Sequence, residues 1–161
     1  MRVGHGYDVH RFREGDERPL RLGGVDVPGA PRLEGHSDGD ALLHAVIDAL
    51  LGAAGEGDIG RHFPPGDPEY HDIDSRELLR RVTRLVLSHG FRVRNVDITV
   101  IAERPRLQPH ILAMRDSVAL ALGVEPRFVN VKATTNEGLG AIGAGDAVAA
   151  LAVALLTDEI P

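Results

Sequence analysis

Asp40-Ala41-Leu42-Leu43-His44-Ala45-Val46-Ile47-Asp48-Ala49-Leu50-Leu51-Gly52-Ala53-Ala54 is the stretch on which the fold turns. Its three polar residues, Asp40, His44 and Asp48, are spaced four apart and stack on one helical stripe. Leu43, Val46, Ile47, Leu50 and Leu51 cover the rest. The pattern predicts a helix from about Asp40 to Ala54, with Ser37 or Asp38 as N-cap and Gly55 as the C-terminal stop. A helix this apolar belongs in a protein interior, and its polar stripe then needs partners, because an unpaired buried charge is expensive. Two arrangements meet that need equally well. Either His44 ligates a metal ion while Asp40 or Asp48 accepts from ligand N–H groups behind it, or the stripe faces solvent or a partner chain.

Upstream of this helix, Arg2 to Phe12 reads as a strand interrupted by glycines, Arg21 to Val27 as a second short strand, and Pro28 to Gly39 as a loop rich in turn formers. Downstream, Gly55 to His71 is rich in Gly and Pro and reads as a loop, long enough to suggest a lid or binding segment. Asp74-Ser75-Arg76-Glu77 is a capping signature before Leu78, Leu79, Val82, Leu85 and Val86, and Gly90 ends that helix. Val93 to Ala102 reads as a strand, Gln108 to Leu122 as a helix closed by Gly123, and Phe128 to Thr134 as a strand. Ala147 to Leu156 is ambiguous, since its Ala and Leu favour helix while its Val residues permit strand. Strands alternating with helices point to an α/β fold, an α+β sandwich whose sheet is covered by helices.

A chain of 161 residues suits one domain spanning 1–161, and 43% hydrophobic residues suffice for a core. There is no Cys, which excludes disulfide staples and thiolate zinc sites, whereas eight His are available as ligands. The formal charge of −6, with Lys132 the only lysine, argues against a nucleic-acid partner. The N-terminal stretch has no signal-peptide core, and the longest apolar run, Ala147 to Leu156, is too short to span a bilayer. The expectation is a cytoplasmic protein with no membrane partner.

Asp8 and His10 sit two apart, so on a strand both face one side and can reach one ion. Alone, Asp-x-His is more often an exposed polar pair. Joined by His44 it makes a three-ligand site of zinc type with its fourth position open, as catalytic sites have. His36-Ser37-Asp38-Gly39 precedes the helix, where free N–H groups and the Ser37 hydroxyl can hold an anion, although a plain N-cap explains Ser37 as well. Lys132-Ala133-Thr134-Thr135-Asn136-Glu137-Gly138 offers hydroxyls, amides and a carboxylate for phosphates and a hard cation. Taken alone, the segment reads more simply as an ordinary strand-to-turn transition.

Gly4-His5-Gly6-Tyr7-Asp8-Val9-His10, His36-Ser37-Asp38-Gly39-Asp40 with His44, Gly57-Asp58-Ile59-Gly60, Asp74-Ser75-Arg76, and Asn130-Val131-Lys132-Ala133-Thr134-Thr135 together resemble the 2-C-methyl-D-erythritol 2,4-cyclodiphosphate synthase family of non-mevalonate isoprenoid synthesis. The likeness runs nearly end to end, with the motifs in the family's order. It implies a single mixed sheet covered by helices on one side, with Ala147 to Leu156 a strand, and a homotrimer packed through the sheets with active sites between subunits. It also implies a phosphorus–oxygen lyase. The 2-phosphate of 4-diphosphocytidyl-2-C-methyl-D-erythritol 2-phosphate attacks the β-phosphorus, the cyclic diphosphate forms and CMP leaves.

By the same resemblance, zinc or another divalent transition metal sits on Asp8, His10 and His44. Glu137 helps hold Mg²⁺ or Mn²⁺ as a second cation, and His36 and Thr135 stabilise the transition state. Asp58, Ile59, Gly60 and the segment Phe63, Pro64, Pro65, Gly66 and Asp67 contact ribose and erythritol, with Asp8, His10, His36 and Ser37 also against substrate. Ala102, Glu103, Arg104, Pro105, Arg106, Leu107 and Gln108, with Ala133, Thr134, Thr135 and Glu137, form the cytosine and diphosphate side, contributed by another subunit. Two departures stand out. Pro65 takes a place where the family often has an acidic residue. Ala144, in the loop Ala141-Ile142-Gly143-Ala144-Gly145, replaces an Arg that in some relatives holds a prenyl diphosphate on the trimer axis, so weak or absent binding of geranyl diphosphate is expected. The competing readings are a zinc phosphohydrolase with the same ligands and a nonenzymatic trimeric binding module for a nucleotide or an isoprenoid.

Overall fold

The structure, a computed structural model, describes residues 1–158. Its main sheet has the order β1-β6-β4-β5, built from β1 (Arg2–Arg11), β4 (Phe91–Ile101), β5 (Val129–Thr134) and β6 (Ala147–Asp158). β4 and β5 run parallel, while β6 is antiparallel to both β1 and β4, so the sheet is mixed. Ala147 to Leu156 is therefore a strand, and one of the two interior ones. Pairing along both edges outweighs the helix preference of its alanines, whose small side chains let helices lie close to the sheet.

The expectation of a single sheet needs correction. Arg21 to Val27 is not one strand but the middle of a separate hairpin, β2 (Pro19–Leu22) and β3 (Val25–Pro31). Gly23 and Gly24 form its two-residue turn, with φ of +60° and +74°. Turns with both central residues at positive φ match the twist of hairpin strands, and glycine adopts them freely.

α1 (Ala41–Ala54) lies on β1 and β6, with α3 (Ser75–Ser88) beside it and α4 (Ile111–Leu122) on β5. Twelve of its residues are buried, among them Leu42, Leu43, Ile47, Leu50 and Leu51. Its N-cap is Asp40, not Ser37 or Asp38, and Gly55 closes it in the left-handed conformation. Gly4 and Gly6 of β1 face α1, and a Cβ on either would stand 2.0 Å from the carbonyl oxygen of Ala49 or Ala45. The glycines thus bring strand and helix into direct backbone contact. The segment expected to be loop from 55 to 71 contains a short helix, α2 (Ile59–His62), and a 3₁₀ turn, Pro68–Tyr70. Gln108–His110 is 3₁₀ rather than the first turn of α4.

Along β1 and β6, residues alternate between Gly4, Gly6, Ala150, Ala152 and Ala154, buried under the helices, and Val3, Tyr7, Leu151 and Val153 on the opposite face. Tyr7 is paired with Leu151 and remains 52% exposed. Among the described residues no helix is long and apolar enough to cross a membrane.

Candidate metal centre

The close seam between α1 and β1 sets Asp8, His10 and His44 together. Asp8 Oδ2 lies 2.7 Å from His10 Nε2 and 2.9 Å from His44 Nδ1, and the two imidazole nitrogens are 3.2 Å apart. Ligand atoms around a tetrahedral zinc, each about 2.0–2.1 Å from it, stand about 3.3 Å apart. The triangle therefore needs only slight opening to close on such a cation. Two imidazole nitrogens facing one carboxylate oxygen also suit an ion better than protons, because the three atoms converge on one point. It is the one such cluster among the described residues.

Electrostatics follow from the same geometry. Burial works to raise the Asp8 carboxyl, but hydrogen bonds from His10 and His44 outweigh it and hold it well below the usual carboxylate range. Burial works to lower the His44 pKa, but Asp8 outweighs it and keeps the imidazole above its ordinary value. The cluster thus holds opposite charges close together and buried, which a metal can replace with coordination.

Asp40 and Asp48 do not support the ligands as expected. Asp40 Oδ1 accepts from Gly23 N and Leu43 N and Oδ2 from Gly24 N, tying the hairpin turn to the start of α1. Asp48 accepts from Ile59 N at 2.7 Å, fixing α2 against α1, and burial pushes its carboxyl up. Behind His44, Nε2 instead meets two hydroxyls, Ser37 Oγ and Ser75 Oγ, each at 3.0 Å. Ser75 was missed because the sequence gives it a sufficient role at the start of a helix.

The triad opens on a cavity of about 240 Å³ lined also by His36, Ser37, Ile59, Gly60, Phe63, Pro65, Tyr70 and Leu78. Tyr70 and Leu78 were not anticipated, and nothing in their sequence context marks them. Pro64, Gly66, Asp67 and Asp58 lie outside this lining. Asp58 caps α2, accepting from Arg61 N, and Asp67 presents its carbonyl to His36 Nε2 at 2.9 Å. Ala102, Glu103, Pro105, Arg106, Leu107, Gln108, Ala133, Thr134 and Thr135 line a second cavity of about 270 Å³ that shares no residue with the first. Arg104 turns away from it, donating to the Gly145 carbonyl and lying over the Phe12 ring. Glu137 is outside it too, accepting from Thr135 Oγ1 at 3.0 Å in a turn where its own φ is +52°.

Fold and site thus define an α/β protein whose mixed sheet and one covering helix hold a ligand triad fit for a divalent cation. The YgbB family model matches residues 1–157, and the chain belongs to that family. It is 56% identical over 156 residues to the 2-C-methyl-D-erythritol 2,4-cyclodiphosphate synthase of Symbiobacterium thermophilum, covering 97% of this chain and 98% of the relative. To the enzyme of the same name from Gloeobacter violaceus it is 58% identical over 158 residues, covering 98% and 96%. Among solved structures, the bifunctional IspDF of Campylobacter jejuni superposes with a TM-score of 0.92 at 42% identity, over 98% of this chain and 43% of that one. The CDP complex of IspF from Plasmodium falciparum superposes with a TM-score of 0.85 at 33% identity, over 99% and 97%.

Proposed function

We propose that this chain is a phosphorus–oxygen lyase of isoprenoid biosynthesis, converting 4-diphosphocytidyl-2-C-methyl-D-erythritol 2-phosphate to 2-C-methyl-D-erythritol 2,4-cyclodiphosphate with release of CMP. The observation that carries the reading is the convergence of Asp8, His10 and His44 at the mouth of a cavity. Enzymes bearing this name match the chain over nearly its whole length, and CDP is bound in a solved relative.

The reaction brings two anionic phosphates together, so the protein must offset charge and hold the groups in line. A divalent cation on the triad, with Mg²⁺ or Mn²⁺ at Glu137, supplies Lewis-acid polarisation of phosphoryl oxygens and charge neutralisation. His36, tethered to the 63–67 segment by donating its Nε2–H to the Asp67 carbonyl, turns its imidazole toward the reacting phosphates. Thr135 presents its hydroxyl from the second cavity. Ile59 and Gly60 line the wall for the erythritol, and Phe63 and Pro65 keep that wall apolar and dry. The carbonyls and amides of the 102–108 and 133–134 segments read the cytosine.

Since the two cavities are separate in one chain, their joint use requires a neighbour. The uncovered apolar stripe of Val3, Tyr7, Leu151 and Val153 supports a homotrimer packed through the sheets. The test is elemental analysis of purified protein together with a CMP-release assay before and after chelation. Stoichiometric zinc, CMP and a cyclic diphosphate are expected. A linear phosphate product would mean a hydrolase, and nucleotide binding that survives chelation without turnover would mean a binding module.

A further inference from the structure

His44 presents one ring nitrogen to the triad and the other to two serines, and the serines differ. Ser75 is fully buried at the first position of α3. Its Oγ lies 2.5 Å from Asp38 Oδ1 while its backbone N–H donates to Asp38 Oδ2 at 3.1 Å. The Asp38 carboxylate meets further donors: Oδ1 accepts from Asp40 N and Oδ2 sits 3.3 Å from Arg21 Nε. A hydroxyl has one proton, and a contact this short to a carboxylate oxygen takes it. What Ser75 shows His44 at 3.0 Å is therefore a lone pair. Ser37 Oγ, also 3.0 Å from His44 Nε2, has among the described residues only the Ser75 hydroxyl at 3.5 Å as a further partner and can turn either way.

We infer that Ser75, oriented by Asp38, is a positioning residue that biases His44 toward the Nε2–H tautomer, the one that leaves the Nδ1 lone pair aimed at the cation site. The inference rests on the reading that the triad holds a metal, and extends it to residues that touch neither metal nor substrate. The alternative tautomer has a partner of its own, since Nδ1–H would donate to Asp8 Oδ2 at 2.9 Å. That bond would close the site. The lone pair of Ser75 works against this tautomer, because Nε2 would then have, among the described residues, only the Ser37 hydroxyl, at 3.0 Å, to donate to it. Asp38, Ser75 and His44 thus do with an intervening hydroxyl what a carboxylate does directly for many ligand histidines.

The test is ¹⁵N NMR of the His44 ring in metal-free protein at high pH, where the imidazole is neutral, with zinc affinity measured by competition with a chromophoric chelator. Wild-type protein is expected to hold more of the Nε2–H tautomer than a variant without the Ser75 hydroxyl. Ser75→Ala should shift His44 toward Nδ1–H and weaken zinc binding by about 10–100-fold. Asp38→Asn, which retains Ser75 but offers an amide where two acceptor oxygens stood, should move both readings the same way. It keeps the test open should Ser75→Ala fail to fold. A purely structural role would lower thermal stability and leave the tautomer alone. Wild-type protein that binds no zinc overturns the metal-site reading and this inference with it. Zinc-binding wild type, with variants equal to it in tautomer and affinity, overturns this inference alone.

Discussion

Gly6 of β1 lies so close to Ala45 of α1 that a Cβ on the glycine would stand 2.0 Å from the Ala45 carbonyl oxygen and 2.8 Å from the Ala49 nitrogen. Both partners are backbone, so nothing can rotate aside. This seam sets the spacing between Asp8 and His10 on one side and His44, the neighbour of Ala45, on the other. Gly6→Ala should therefore destabilise the protein by about 3 kcal/mol, at the upper end for overpacking, and weaken metal binding as the ligands part. Denaturant unfolding and zinc titration check the pair of effects. A variant with unaltered stability would mean that helix and strand stand further apart than described.

His44→Ala separates chemistry from folding. The helix keeps its hold through Leu43 and Ile47, both fully buried, while the triad loses its helix-borne ligand. Lewis-acid stabilisation is worth several kcal/mol, so CMP release should fall by on the order of 10³-fold or more, with circular dichroism unchanged. Chelation of wild-type protein should give the same loss, reversed by added zinc. Normal CMP release from the variant would remove His44 from the mechanism.

Acid stability should carry a trace of Asp74. Burial works to raise its carboxyl, but the hydrogen bonds from Arg76 and the charges of Arg21 and Arg76 outweigh it and hold it below its ordinary value. A depressed folded pKa contributes stability above the unfolded value of about 4, and that contribution is lost as pH falls through the folded one. Asp74→Asn keeps an N-cap side chain for α3 but loses the charge. Because the residue is over a third exposed, the cost at neutral pH is about 0.5 kcal/mol. The gap between wild type and variant should close as pH drops below about 4. A gap that widens there would reverse the sign of the shift.

Much of the site could be read from residues whose periodicity and neighbours agree. Asp8 and His10 share a strand face, and His44 sits on a helix too apolar to be exposed. What escaped depended on partners distant in the chain. Asp40 belongs to the Gly23–Gly24 turn, a contact no local pattern announces, so it was assigned to the metal instead. Leu20, Leu22, Val25 and Val27 pack on the core, and Gly23-Gly24 between them is a two-residue turn signal that the reading of Arg21 to Val27 as one strand passes over. Ser75 fits a capping signature so well that nothing called for a second role. The strand state of β6 came from resemblance, since the balance of its Ala and Val residues left helix and strand open, and its interior position came only with the structure.

The apolar stripe across β1 and β6 should be the trimer contact. Leu151 is 42% and Val153 47% exposed in the single chain, and with Val3 and Tyr7 they make one apolar stripe, the kind of surface that marks a protein contact. Leu151→Glu would bury a charge in that contact without touching the core. Sedimentation should show wild type as a trimer and the variant as a single chain with its secondary structure intact. CMP release should be lost if each site draws on two subunits. A variant that remains trimeric would place the interface elsewhere.

Glu103 should matter through the loop it holds rather than through substrate alone. Its Oε1 accepts from Asn136 N at 2.8 Å and Gly138 N at 3.2 Å, gripping the backbone on both sides of Glu137. Glu137 itself sits at φ +52°, a conformation that a non-glycine residue adopts only when its surroundings impose it. Removing the grip lets the turn relax, and with it the Thr135 hydroxyl and the carboxylate proposed for the second cation. Glu103→Ala should leave zinc on the triad untouched, because the two cavities share no residue. It should lower CMP release by about 10–100-fold, the usual cost of losing support behind a metal ligand, and raise the Mg²⁺ concentration needed for half-maximal rate. Glu103→Gln, which keeps an acceptor oxygen, should recover part of the loss. If Glu103→Ala reduced the rate with no change in its Mg²⁺ dependence, the carboxylate would be acting on the nucleotide directly and not through Glu137.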